Sequence, residues 1–114
     1  MFRSGAFMAA VDMVYITIHG KGGHAARPHQ TVDPIVVAGS LVMALQSIVS
    51  RNVNPLETAV VTIGALNSGS APNVIPESAT MKLCVRSFSE AVRAQLRERI
   101  TALVTSHAEG YGAQ

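Results

Sequence analysis

The chain has one cysteine, no tryptophan, few aromatic residues (4%) and few charges (14%) in 114 residues. Each shortage excludes something. A lone cysteine, Cys84, forms no internal disulfide, so the fold has to hold by packing, and a reducing, cytoplasmic setting is expected. Nine Lys and Arg against seven Asp and Glu leave a formal net charge of +2. The basic residues are scattered and no basic run interleaves with aromatics, which argues against nucleic acid as a partner. Long hydrophobic runs are missing too. The most apolar stretch, Val32 to Val49, is interrupted by Asp33, Pro34, Ser40, Gln46 and Ser47. A membrane span needs about 20 mostly apolar residues, so no span is expected here. Met1 to Met8 lacks the long apolar stretch and cleavage site of a signal peptide.

What is abundant is aliphatic: 48% of the residues are hydrophobic, enough for a real core in one domain spanning residues 1–114. Charge at 14% against a usual value of about 25% fits either apolar surface meant for a partner or a compact sheet-and-helix domain with an Ala/Val-rich core.

Periodicity places the elements. From Asp12 to His19, Val14, Ile16 and Ile18 alternate with Met13, Tyr15, Thr17 and His19, a half-buried strand. Gly20-Lys21-Gly22-Gly23 reads as a flexible, tightly turning loop. Asp33 is a good N-cap and Pro34 a good first helical residue. Ile35, Ala38, Val42, Leu45 and Val49 mark the expected buried stripe of a helix ending near Arg51-Asn52. Thr58 to Leu66 reads as a second strand. Ala79, Met81, Leu83 and Val85 alternate with Thr80, Lys82, Cys84 and Arg86 in a third. Ser87 or Ser89 caps a second helix, with Ser87 and Glu90 as a capping box. Its inward face is Val92, Leu96, Ile100, Leu103 and His107.

Strand, helix, strand, strand, helix is the order of an α+β, ferredoxin-like split βαβ fold. Two helices would cover one face of an antiparallel sheet, with the last strand of that fold lacking.

Three features invite a chemical reading. The Gly20–His29 loop has amides that could face an anion, joined by Lys21, His24, Arg27 and His29. It has no Walker A spacing, and two loop histidines without a nearby acid or thiol are too few for a zinc site. A lone loop histidine is more often a surface or capping residue. In Pro72-Asn73-Val74-Ile75-Pro76, Asn73 is either a turn residue bonded to its own backbone or an amide held toward a substrate oxygen. Arg86 is either a carboxylate grip or an ordinary exposed arginine. No nucleophile elbow is present, and Cys84 has no evident base. No acid pairs with a histidine as metal ligands do, so no metal site and no catalytic centre are expected within the chain.

Several blocks together change the odds: Gly20-Lys21-Gly22-Gly23-His24-Ala25-Ala26-Arg27-Pro28-His29-Gln30-Thr31-Val32-Asp33-Pro34, then Ser50-Arg51-Asn52-Val53, Asn73-Val74-Ile75-Pro76 and Val85-Arg86-Ser87-Phe88. In this order they resemble peptidase family M20, in its aminoacylase and hippurate-hydrolase branch, over nearly the whole chain from about Phe7. The resemblance implies the smaller, dimerisation ("lid") domain of a two-domain, metal-dependent amidohydrolase. The larger catalytic domain, absent here, would hold two divalent ions such as zinc, manganese, nickel or cobalt. By the same resemblance His24 reaches the partner subunit's active site, to contact the substrate carboxyl group or an oxyanion. Asn73 and Arg86 then contact substrate, a small N-acyl amino acid or peptide, and the assembly is a homodimer. The chain alone is expected to be inactive. The alternatives are a free-standing ferredoxin-like anion-binding module and a purely structural self-association module.

Overall fold

A computed structural model describes residues 10–114. The first strand, β1, is Ala10–His19, and a two-residue strand, β2, is Gly23–His24. A single 3-10 turn, Pro28–Gln30, leads to helix α1, Pro34–Ser47, and a wide turn at Ile48–Asn52. Then come β3 (Ala59–Asn67), the short β4 (Val74–Ile75), β5 (Ser78–Ser87) and helix α2 (Glu90–Gly110).

The main sheet has the order β1-β5-β3, antiparallel throughout. The strand that comes last in sequence therefore lies in the middle, as a split βαβ arrangement requires. Both helices pack on one face, which makes the chain an α+β domain. Ile16, Ile18, Val61, Ala79, Met81, Leu83 and Val85 from the sheet meet Leu41, Leu45, Ile48, Leu96 and Ile100 in one core. Tyr15, Thr17, Thr80 and Lys82 stand on the opposite, open face. The alternation expected for β1 and β5 is thus the observed one. At the far end of β1, the Gln114 N–H donates to the His19 carbonyl at 2.9 Å, and His19 N–H donates back at 2.6 Å. Those two bonds are one antiparallel rung on the outer edge of β1.

The stripe expected on α1 needs correcting. Pro34, Val37, Ala38, Leu41 and Leu45 are buried, whereas Ile35 and Val49 are exposed. No charged residue occurs between Asp33 and Arg51. Such a helix is apolar nearly all round, and periodicity cannot choose its inner face. Pro34–Asn52 is long and apolar enough to cross a membrane by composition. Here its buried side, with Leu41, Leu45 and Ile48 at full burial, forms the centre of the core.

Capping follows the sequence at α1, where Ile35 N–H donates to Asp33 Oδ1 at 2.9 Å. At α2 the cap is Ser89, whose Oγ accepts from Val92 N–H at 3.2 Å. Ser87 is no cap, and the capping box with Glu90 falls away. It is the last residue of β5, fully buried. Arg93 on α2 reaches Asp12 on β1 through two bonds, 2.8 and 3.0 Å, tying the helix to the strand.

Candidate functional site

The Gly20–Gly23 segment is a tightly braced crossing, which overturns its reading as a flexible loop. None of Gly20, Gly22 and Gly23 has a positive φ. Their absent side chains make room instead. A Cβ on Gly20 would collide with the Val32 carbonyl and lie 2.9 Å from Pro34 Cδ. One on Gly22 would lie 2.5 Å from the Ile75 carbonyl oxygen, and one on Gly23 2.7 Å from Thr31 Cγ2. Lys21 and Val32 exchange backbone bonds of 2.8 and 3.0 Å, and Gly20 N–H donates to Glu77 C=O at 2.8 Å.

This bracing sets up a small second sheet. Gly23 pairs with Ile75 and His24 with Val74. Ala25 N–H donates to the Asn73 carbonyl at 3.0 Å. His24, in the ladder, and Asn73, just before its second strand, are 49 positions apart in sequence and are brought to the same end of the domain. Two-residue strands carry no periodic signal, so sequence reasoning missed this ladder.

The amides of the loop are largely engaged. Ala25 bonds Asn73, Ala26 N–H donates to His24 Nδ1 at 3.0 Å, and Arg27 N–H donates to His24 C=O at 2.9 Å. With Lys21 and Gly20 also bonded, little of the expected anion-facing amide nest remains. Lys21, His24, Arg27 and His29 are all exposed. Asn73 is exposed too, and its side-chain amide makes no hydrogen bond among the described residues. Asn73 does stand in a turn, with Val74 N–H donating to the Ala71 carbonyl at 3.4 Å, but its side chain does not bond its own backbone. In the turn at Asn54 the side chain does take part, Oδ1 accepting from Leu56 N–H at 2.9 Å.

Arg86 lies elsewhere. It is exposed on the open face of β5, between Val11 and Val60 on the flanking strands. Ser78, opposite His19, marks the other end of that strand. Eight residues of β5 at about 3.3 Å each separate the two ends by about 26 Å. The structure brings the backbone around His24 to that around Asn73 and holds Arg86 apart from both. Among the described residues no three His, Cys, Asp or Glu side chains converge to hold a metal. Cys84 is a free thiol, half-buried.

Residues 11–112 match the family model of the M20 peptidase dimerisation domain. The chain belongs to that family. An N-acetyl-L-cysteine deacetylase of Bacillus subtilis is 50% identical over 101 residues, covering 89% of this chain and 24% of that protein. A hippurate hydrolase of Campylobacter jejuni is 48% identical over 98 residues, 86% of this chain and 26% of its own length. Among solved structures, one from methicillin resistant Staphylococcus aureus superposes with a TM-score of 0.90 at 34% identity, over 93% of this chain and 28% of the other. A dinuclear metal-binding M20 peptidase of Bacillus subtilis gives 0.71 at 34% identity, over 96% and 25%. This M20 dimerisation domain thus spans about a quarter of the length of the relatives it matches.

Proposed function

We propose that the chain is the dimerisation domain of a two-domain, metal-dependent amidohydrolase that cleaves N-acyl amino acids or similar amides. In this reading it forms a homodimer and presents His24, with Asn73 beside it, to the active site of the partner subunit. The observation that carries the reading is the ladder itself. Its pairing brings His24 and Asn73, both exposed, to the same end of the domain, and among the described residues no acid bonds either side chain. Groups so held stabilise charge that develops on a substrate oxygen, because they need no reorganisation as it forms.

The metal ions belong to the rest of the enzyme. The donor set here does not fit them, and no step is derived through them. Names of the relatives support the substrate class: deacetylases of N-acetyl amino acids and a hippurate hydrolase. Self-association has its own physical motive. Helix α1 presents Val36 and Met43 to the outside, 52% and 73% exposed, on a face without a single charge. A two-fold contact needs such a self-complementary patch.

In the complete enzyme, His24→Ala should lower kcat by about 10²–10³-fold, the range for a lost oxyanion donor, without changing the dimer. Asn73→Ala should act in the same direction. Unchanged kcat in His24→Ala would reject the trans-acting histidine and leave a purely structural self-association module. Turnover of N-acyl amino acids by the isolated 114-residue chain, supplied with metal, would reject the division of labour.

A further inference from the structure

His24 opens a four-residue turn, His24 to Arg27, closed by the Arg27 N–H donating to the His24 carbonyl at 2.9 Å. Inside that turn the Ala26 N–H points at His24 Nδ1, 3.0 Å away. A backbone amide only donates, so Nδ1 must accept. In a neutral imidazole one nitrogen accepts while the other carries the proton. We propose that the Ala26 backbone amide is the positioning group of His24, holding the ring in the tautomer with its proton on Nε2. The atom left to face a substrate is then a hydrogen-bond donor.

The inference rests on the proposed role of His24 and gives it a physical basis. A histidine whose Nε2 must accept a proton or bind a metal is commonly held by a carboxylate on Nδ1–H, or by a carbonyl. Both of those partners select the opposite tautomer, and a carboxylate adds negative charge beside any oxyanion to be stabilised. A backbone N–H selects the Nε2–H form and brings no charge. No carboxylate among the described residues bonds to His24, whose only ring partner is this amide. The amide is itself held in place. The adjacent Ala25 N–H is bonded to Asn73 C=O at 3.0 Å, and His24 pairs with Val74. Ring orientation is therefore coupled to the strand that carries Asn73. Ala26 touches no substrate in this scheme; it acts only through His24.

The test is nitrogen NMR on the purified, 15N-labelled chain at about pH 8, above the ordinary histidine titration near 6.5. His24 should show Nδ1 at the shift of an unprotonated acceptor and Nε2 at that of a protonated nitrogen. His29, exposed and without a ring hydrogen bond among the described residues, serves as comparison and should show averaged shifts. A His24 proton on Nδ1, or averaged shifts equal to those of His29, would overturn the proposal. In the complete enzyme, Ala26→Pro removes the donor and Ala26→Gly keeps it. Ala26→Pro should lower kcat by about 10–100-fold, as loss of a supporting contact does, with Ala26→Gly close to wild type. Equal losses in both would also overturn it. Proline fits poorly at this third turn position; should that variant fail to fold, the wild-type spectrum decides alone. A correct spectrum together with undiminished kcat in His24→Ala would uphold the tautomer and refute the role of His24 in catalysis, so the two failures are distinguishable.

Discussion

Gly20 and Gly39 offer a paired test of why glycine occurs where it does. Both have backbone angles that alanine tolerates, since neither has a positive φ. Replacing glycine by alanine removes freedom from the unfolded chain and so stabilises by about 0.4–1 kcal/mol where nothing else changes. At Gly39, exposed within α1, a new Cβ meets nothing within 4 Å. Gly39→Ala should therefore stabilise by about 0.5–1 kcal/mol. At Gly20 the same methyl collides with the Val32 carbonyl and crowds Pro34. These are backbone and ring atoms at the start of α1, and they cannot swing aside as the tip of a flexible side chain would. Overpacking of this kind costs about 1–3 kcal/mol. The Val32 carbonyl also accepts from Lys21 N–H at 2.8 Å, and stretching that bond adds about 1 kcal/mol. After the unfolded-state gain, Gly20→Ala should destabilise by about 2–3 kcal/mol. In a domain of this size that lowers Tm by roughly 8–12 °C. Urea and thermal unfolding of both variants would measure it. A Gly20→Ala protein within about 0.5 kcal/mol of wild type would refute the close-approach explanation.

Acid should weaken the tie between β1 and α2. The hydrogen bond from Arg93, and secondarily its charge, holds the Asp12 carboxyl below its ordinary value, against the opposing effect of partial burial. A group with a depressed folded-state pKa contributes stability that is present above its unfolded pKa, about 3.9. That contribution is lost as pH falls through the folded value. The stability gap between wild type and Asp12→Asn should therefore be steady at neutral pH and close below about pH 4, as chemical denaturation along a pH series would show. Self-association through the uncharged face of α1 predicts a concentration-dependent dimer in sedimentation. Met43→Lys, at a 73% exposed position, should shift it to monomer with the circular dichroism unchanged.

The strands β1 and β5 were legible because each has one wet and one dry face, which writes a period of two into the sequence. Helix ends at Asp33-Pro34 were legible through capping chemistry. The inner face of α1 was not, because its outer face is apolar as well. A helix reserved for a partner surface erases the contrast that periodicity needs. Ser87 and Ser89 both suit a cap, and only the length of β5 decides between them. At the site, His24 and Asn73 stood out as residue types in punctuated loops, but their adjacency did not. It depends on four ladder residues, Gly23, His24, Val74 and Ile75, paired across some fifty positions. Nor could the sequence show that three glycines serve contact rather than flexibility, since both uses select the same residue.

The placement of Arg86 bears on which subunit would serve which active site. About 26 Å of β5 separates it from the end of the sheet next to His24. An N-acyl amino acid is about as long as two residues, roughly 7 Å extended. One such molecule cannot touch both groups of one chain, and no hinge between domains alters a distance within this one. In a dimer that uses both residues, each active site must therefore take His24 from one chain and Arg86 from the other. Mixed dimers test this directly. Pairing a His24→Ala subunit with an Arg86→Ala subunit leaves one site with both groups intact and one with neither. The isolated mixed dimer should show about half the activity of the wild-type dimer, while each homodimer stays low. Mixed dimers no more active than the parents would refute the split. Full activity in the Arg86→Ala homodimer would remove Arg86 from substrate binding altogether, leaving His24 and Asn73 as the contribution of this domain.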